Sequence, residues 1–353
     1  MSLTDAPAGF PEFLIATRGR TRDLGAYVVA TCFSSDGAIC AFALGDGTVR
    51  LATVRGPDAE WRTVAAHEGA TMALAPDPAG GFISGGDDGR LVRIGRDGAV
   101  REIARFGSKW VEHVAAHTDG AGRGVIACSV GRAMHVFDAA GAKLKELAHP
   151  STVAGIAFDA KGKRIAAAHY NGASLWFVAA KTDTPRQLVW KGSHIGIVIN
   201  PDGDSVVTAM QENALHGWRL SDGQHMRMSG YPAKTLSMSF SRTGKWLATS
   251  GADSIVIWPF FGGGPMGKAP TELAGGDNTL CHAVAFNPRE DHCAGGFADG
   301  LVVLVDPARS RVVPVAPPGT GAVSTLGWSP DGGYLAIGGE QGFAAIIDFT
   351  ARS

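Results

Sequence analysis

The sequence repeats one pattern eight times, and a fixed period of this length constrains the fold more than any local feature. Each unit reads as an apolar strand, a turn similar to Ser-Pro-Asp-Gly, a strand of small residues, a turn such as Asp-Gly, and a third apolar strand. The equivalent positions are Phe33, Leu74, Ala116, Phe158, Ile199, Phe240, Phe286 and Trp328. The steps between them are 41, 42, 42, 41, 41, 46 and 42 residues, and the long step coincides with a Gly/Pro-rich insertion at 260–270.

A fourth strand is visible between units, at 60–67, 143–149 and 186–194. The turn residues are those that hairpins require, since Pro presets one backbone angle and Gly accepts a positive φ. Four short strands per 41 to 46 residues is the period of a propeller blade. The sequence therefore predicts an all-β chain that forms one domain over 1–353, an eight-bladed β-propeller.

The repeat resembles the WD40 family over about residues 10 to 350, with the terminal dipeptide degenerated to Phe137-Asp138, Val305-Asp306 and Ile347-Asp348. The resemblance implies a WD40-type propeller in which buried polar networks pin the blades and one face binds other proteins. The residues that match such networks are His194, Thr208, Glu212 in place of Asp, and Trp218 in the fifth unit, with Thr249, Asp253 and Trp258 in the sixth. A partial match in the second unit has His67, Ser84 and Asp88, with Ile94 where Trp is expected. We interpret these residues, and His149, as structural.

The eighth unit ends near Phe349 without an outer strand of its own. Residues 12–18 precede the first innermost strand and belong to no other blade, so we expect them to pair beside 343–349 and close the ring. The alternative is seven blades, which would follow if the third unit, with its unclear turn at 115–124, were misread.

Charge and cysteine content narrow the possible partners and the compartment. The formal net charge is -1, so no global field favours nucleic acid, and no apolar stretch approaches the roughly 20 residues of a membrane span. Five cysteines without zinc-ribbon spacing indicate reduced, buried thiols and a cytoplasmic protein. Cys32 and Cys40 flank a turn symmetrically and could lie opposite each other, close enough for a disulfide under oxidation, although two packed thiols are the favoured interpretation.

No catalytic motif stands out in the sequence. GxSxG, GxxxxGK[ST] and HExxH are absent, and no acidic residue recurs at the channel ends of the innermost strands. Cys281-His282 and His292-Cys293 form the most metal-like cluster, but a hairpin would separate the two cysteines by about 10 Å. We therefore predict no metal, no cofactor and no enzymatic activity.

The loops that join each outer strand to the next innermost strand gather on one face of a propeller, where we expect the binding surface. The candidate residues are Arg18, Arg20, Arg22, Lys109, Trp110, Tyr231 and Lys234. Arg and aromatic residues are frequent among interface hot spots, and a basic face suits an acidic peptide or protein tail. The predicted function is a non-catalytic protein-protein interaction scaffold. The alternatives are a propeller-type hydrolase or metal-binding enzyme, and a nucleic-acid-binding adaptor with a basic rim.

Overall fold

The computed structural model describes residues 13–56, 60–119, 124–275 and 278–350, which form antiparallel sheets arranged around a ring. The first unit contains β2 (Val28–Phe33), β3 (Ile39–Leu44), β4 (Thr48–Thr53) and β5 (Trp61–Ala65). The second contains β6 (Thr71–Pro76), β7 (Phe82–Gly86), β8 (Arg90–Ile94) and β9 (Val100–Arg105). The third contains β10 (His113–Thr118), β11 (Gly124–Val130), β12 (Ala133–Asp138) and β13 (Lys143–Ala148). Each unit is one four-stranded sheet in chain order.

The remaining units continue the ring. The fourth and fifth units contain β14 (Gly155–Phe158), β15 (Arg164–Phe177), β16 (Arg186–Ile199), β17 (Ser205–Met210), β18 (Ala214–Arg219) and β19 (His225–Ser229). The sixth contains β20 (Met238–Phe240), β21 (Trp246–Thr249), β22 (Ile255–Pro259) and β23 (Thr271–Leu273). The seventh contains β24 (Cys281–Phe286), β25 (Cys293–Phe297), β26 (Val302–Asp306) and β27 (Arg311–Ala316). The eighth contains β28 (Val323–Trp328), β29 (Tyr334–Gly339) and β30 (Phe343–Asp348), and its fourth strand is β1 (Gly19–Asp23).

The all-β propeller is confirmed, but the described residues form seven hydrogen-bonded sheets and not the eight of the predicted eight-bladed propeller. Seven blades was the alternative prediction, but the reason expected for it, a misread third unit, is not what the structure shows. The third unit has a sheet of its own, whereas the fourth and fifth units share one six-stranded sheet. In that sheet β15 pairs with β14 and then with β16, which continues without a break to pair with β17. Eight innermost strands still follow one another around the ring: β2, β6, β10, β14, β16, β20, β24 and β28, which contacts β2.

The strand at the ring closure lies further along the chain than expected. Residues 12–18 were predicted to be this strand, but Leu14–Arg18 form a short helix, α1, and β1 pairs with β30 from Gly19 opposite Ile347 to Asp23 opposite Phe343. The helix places Leu14 and Ile15 against the apolar core between the seventh and eighth units. Gly19 permits the close turn into β1, since a Cβ there would lie 2.4 Å from the carbonyl oxygen of Ile15.

The core of the molecule lies between neighbouring sheets and not in one central cluster. One cluster joins Phe42 of the first unit to Ile346 of the eighth, and another joins Ile257 of the sixth unit to Val305 of the seventh. Middle strands such as β17 and β29 are buried at every residue because both of their faces are covered. Each unit therefore depends on its neighbours for burial, as in other repeat architectures.

The turns that follow the innermost strands hold adjacent units together. The amide Nδ2 of Asn200 donates to the carbonyl of Gly244 (3.0 Å), and Nδ2 of Asn287 donates to the carbonyl of Gly332 (2.9 Å). Gly244 and Gly332 have φ of 69° and 73°, which glycine accepts without strain. The Pro-Asp-Gly pattern that identified the repeat therefore also forms contacts between units.

The thiols of Cys32 and Cys40 do not face each other. The register pairs Cys32 with Ala41 and Phe33 with Cys40, a slip of one residue from the expected pairing. Successive residues of a strand point to opposite sheet faces, so Cys40 packs towards the eighth unit and Cys32 towards the second. Both cysteines are free, and the suggested disulfide is excluded by this arrangement.

Candidate interaction face

Two kinds of loop meet at one edge of the sheets, which we call the upper face. These are the loops that lead into the innermost strands and the turns between the second and third strands of each unit. Backbone N–H groups of Ala66 and His67 both donate to the carbonyl of Gly47, and Val111 N–H donates to Gly86. The opposite edge, the lower face, carries the remaining turns, joined by bonds such as that from Val54 N–H to the carbonyl of Ala38.

Large apolar side chains stand exposed on the upper face. Trp110 and Leu236 are 54% and 63% exposed in loops that lead into innermost strands, and Tyr27 and Tyr170 are exposed on the same face. The other exposed large apolar residues of the described chain are distributed over outer strands and lower-face turns: Leu144, Phe177, Val189, Phe261, Met266 and Val312. Lys109 adjoins Trp110, and Lys234 shares a loop with Leu236; both lysines are exposed. Lys109 and Trp110 thus lie on one loop of the upper face and Lys234 on another.

The three N-terminal arginines lie elsewhere, and their placement on the upper-face loops is a wrong expectation. Arg18 ends the short helix, and Arg20 and Arg22 belong to the closing strand β1. Arg20 donates through Nη2 to the carbonyls of Thr53 (3.1 Å) and Val54 (2.6 Å). The guanidinium of Arg22 lies 5.7 Å from the ring centroid of Trp61. Arg20 and Arg22 therefore join the eighth unit to the first, because strand geometry directs both towards the neighbouring blade.

Tyr231, a predicted surface residue, is buried in a chain of hydrogen bonds in the sixth unit. Trp258 Nε1 donates to the Tyr231 hydroxyl (2.6 Å), which lies 2.6 Å from Thr249 Oγ1. Thr249 in turn donates to the carbonyl of Val256 (3.2 Å). Burial raises the pKa of Tyr231 to about 12, so its hydroxyl stays protonated and can donate to Thr249. Among the described residues, Asp253 is not part of this chain of hydrogen bonds. Tyr231 occupies the position where the family has His.

The fifth unit contains the expected histidine, with a different partner set. His194 is buried, and its Nδ1 lies 2.7 Å from Thr208 Oγ1 while Nε2 donates to the carbonyl of Trp190 (3.0 Å). The indole ring of Trp218 lies 5.7 Å from the His194 ring. Glu212 instead accepts from the backbone N–H of Ser193 (3.0 Å). Burial lowers the pKa of His194, which keeps the ring neutral inside the blade.

The second unit forms a complete polar network despite Ile94, which is buried in the apolar core. His67 Nδ1 lies 3.0 Å from Asp88 Oδ1, and its Nε2 lies 2.9 Å from Ser84 Oγ. Burial lowers the pKa of His67, and the neighbouring carboxylate of Asp88 offsets part of this shift. His149 differs, since neither ring nitrogen has a hydrogen-bond partner among the described residues. Burial and nearby His169 lower the pKa of His149 to about 4.

An aromatic cluster at the junction of the fourth and fifth units was not predicted from the sequence. Trp190 stacks on His216 with ring centroids 4.0 Å apart and an interplanar angle of 14°. His216 Nε2 lies 2.9 Å from Nδ1 of His225 across two paired strands. Burial, together with His225, lowers the pKa of His216 to about 3. The spacing of the two histidines about a hairpin turn was the available signal.

The cysteine and histidine pairs of the seventh unit do not converge on one point. Cys281 pairs with Phe297 and Cys293 with Phe286, and the two thiols donate to backbone carbonyls of Ala283 and Ala294. His292 lies 3.0 Å from Glu290. Within the described ranges, no group of three His, Cys, Asp or Glu side chains could hold a metal ion. Those ranges also contain no helix of the length and apolarity that a membrane crossing needs.

Comparisons with known proteins agree with this architecture. The WD domain, G-beta repeat family matches residues 225–258. Autophagy-related protein 16 of Arabidopsis thaliana is 21% identical over 308 residues, which cover 84% of this chain and 59% of the relative. The Protein LST8 homolog of Drosophila melanogaster is 25% identical over 128 residues, covering 36% of this chain and 40% of that protein. The chain thus spans less than two thirds of each relative's length.

A solved structure has the same fold. The computationally designed Ika8 protein superimposes with a TM-score of 0.74 at 17% sequence identity, covering 93% of this chain and 98% of that one. The ring of four-stranded units is a WD40-type β-propeller, and the matched repeat shows that the chain is similar to the WD domain, G-beta repeat family.

Proposed function

We propose that this protein is a non-catalytic scaffold that binds a partner protein through the upper face. The observation that carries the proposal is the exposure of Trp110 and Leu236 on loops of that face. Exposed aromatic residues such as Trp are frequent interface hot spots, and exposed apolar patches mark interaction sites. WD40 propellers are typically non-enzymatic scaffolds, which supports the same conclusion.

The proposal includes an acidic partner in the cytoplasm. Lys109 and Lys234 add positive charge beside the two apolar side chains, and complementary charge on a partner would guide association. The five free cysteines, four of them buried, fit a reducing compartment. Arg18, Arg20 and Arg22 lie outside the proposed surface, and the last two join the eighth unit to the first.

The test compares two double variants of the full chain in affinity capture from native cells. Trp110→Ala with Leu236→Ala removes both anchors from the upper face, whereas Phe261→Ala with Met266→Ala removes matched exposed side chains from the lower face. We expect capture of the partner to fall about tenfold or more in the first variant, since truncating an anchor costs about 1–2 kcal/mol. Equal capture by both variants, with unchanged melting temperatures, would reject Trp110 and Leu236 as the anchors of the interface.

A further inference from the structure

The junction between the fourth and fifth units differs from the others because no loop covers it. Strand β16 runs directly from the outer position of one unit to the innermost position of the next, bending at Gly192, where φ is 118°. Elsewhere a separate loop makes this connection, for example residues 230–237 between β19 and β20. The Gly192 N–H donates to Asn171 Oδ1 (3.2 Å) and the Ser193 N–H to Glu212. Side chains of two neighbouring turns thus accept hydrogen bonds from the backbone N–H groups that a loop would otherwise cover.

The uncovered junction opens into a pocket of about 360 Å³ on the rim of the upper face. Its lining includes Tyr170, Trp190, Met210, Lys191 and Arg227. The volume falls in the range of about 300–1,000 Å³ found for ligand pockets. Two aromatic rings and a methionine provide an apolar floor, and two cations stand at its edge.

The aromatic wall of this pocket is held in place before any ligand arrives. Trp190 stacks on buried His216, and its carbonyl accepts a hydrogen bond from His194. His216 stays neutral because burial lowers its pKa to about 3, so the stack carries no charge near neutral pH. A fixed wall reduces the ordering cost of binding.

The charges around the pocket are not balanced. Lys191 and Arg227 are exposed, and within the described ranges neither forms an ion pair. Glu212, the one carboxylate in the lining, is already bound to the backbone of Ser193. An apolar pocket with two available cations is complementary to an apolar group that has carboxylates beside it.

We propose that this pocket binds an extended peptide segment of a partner protein that places one large apolar side chain between Tyr170 and Trp190, with aspartate or glutamate on either side. The flanking carboxylates pair with Lys191 and Arg227. This inference rests on the proposed scaffold function and names the chemistry of one segment that the scaffold recognises.

The probe is the capped pentapeptide acetyl-Ala-Glu-Leu-Glu-Ala-amide, titrated into the full chain while the ¹³C-methyl resonance of Met210 is followed by NMR. We expect a saturable shift with an affinity on the order of millimolar, typical of few contacts. Control peptides with Lys for both Glu residues, or Ala for Leu, should bind about fivefold or more weakly, because each loses one of the two kinds of contact.

Variants assign the binding to this pocket. Lys191→Ala with Arg227→Ala should weaken binding about fivefold or more, whereas Lys161→Ala, which removes an exposed lysine of a lower-face turn, should leave it unchanged. Tyr170→Ala, at a ring that is 59% exposed, should weaken binding without lowering the melting temperature. The proposal is overturned if Met210 shows no saturable shift up to about 10 mM peptide, if the lysine peptide binds equally well, or if the double variant has no effect.

These outcomes are independent of the capture experiment. Trp110→Ala with Leu236→Ala alters other loops, so the pentapeptide should bind that variant normally. Loss of partner capture with intact pentapeptide binding supports both proposals. Intact capture by that variant rejects the upper-face anchors alone, and a silent Met210 resonance rejects the pocket alone.

Discussion

Replacing Tyr231 by phenylalanine removes one hydroxyl group from the chain of hydrogen bonds that runs from Trp258 to the carbonyl of Val256. The hydroxyl accepts from Trp258 Nε1 and donates to Thr249, and all three side chains are buried. Each lost hydrogen bond costs about 0.5–1.5 kcal/mol, and a buried donor left without a partner costs about 1–3 kcal/mol. We expect the free energy of unfolding to fall by about 2–4 kcal/mol, a large part of the roughly 5–15 kcal/mol that stabilises a native protein.

Urea denaturation at neutral pH, followed by circular dichroism, measures this change. The matched control is Tyr27→Phe, which removes a hydroxyl from an exposed ring and should alter stability by less than about 0.5 kcal/mol. Thr249→Val removes the next hydroxyl of the chain. Because both substitutions break the same bond, the double variant should lose less stability than the sum of the two single losses. A Tyr231→Phe change below about 0.5 kcal/mol, or strictly additive losses, would refute this account of the hydrogen-bond chain.

Two further predictions concern the ring closure and a buried histidine. Arg20→Met keeps an apolar stem but loses both hydrogen bonds to the carbonyls of Thr53 and Val54, so the free energy of unfolding in urea should fall by about 1–3 kcal/mol. The control is Arg101→Met, on an exposed outer strand. If Arg20→Met lowers the free energy of unfolding no more than this control does, the prediction is contradicted. The pKa of His149 is about 4 in the folded chain, against an ordinary value of 6.5, because the folded chain favours the neutral ring. The protein is therefore most stable, as far as His149 is concerned, above pH 6.5, and it loses this stability as the pH falls from 6.5 towards 4. In His149→Phe, the free energy of unfolding should depend less steeply on pH between 6.5 and 4. If both proteins show the same dependence, the lowered pKa of His149 is disproved.

The repeat could be predicted from sequence because its turns have local requirements. Each Pro-Asp-Gly or Asp-Gly turn needs particular residues whatever surrounds it, so the units and their spacing were visible. The sharing of one sheet by the fourth and fifth units was not, since it depends on Gly192 bending a strand that continues through the junction. The position of the closing strand was missed because Leu14 and Ile15 gain more from packing as a helix against the last two units than their β propensity indicates.

The direction in which a side chain points could not be predicted from the sequence, because it depends on strand register and on the neighbouring blade. Arg20 and Tyr231 have the residue types of a binding surface, but one is directed into a seam between blades and the other into a blade. For Cys32 and Cys40, a register slip of one residue reversed which faces the thiols share. Trp110 and Lys109 are exposed in a loop that leads into an innermost strand, and loops of this kind lie on the upper face.

The closing strand β1 sets the order in which the molecule can be completed. Among the strands of residues 13–350, β1 is the first to be synthesised and its partner β30 is the last. At a synthesis rate of about 5–20 residues per second, β30 is made roughly 20 to 60 s after β1. During this interval the outer edge of β1 and the apolar residues Leu14 and Ile15 have no native surface to cover them. The contacts of Arg20 and Arg22 with the first unit do not involve β30, so they can form before that strand is synthesised.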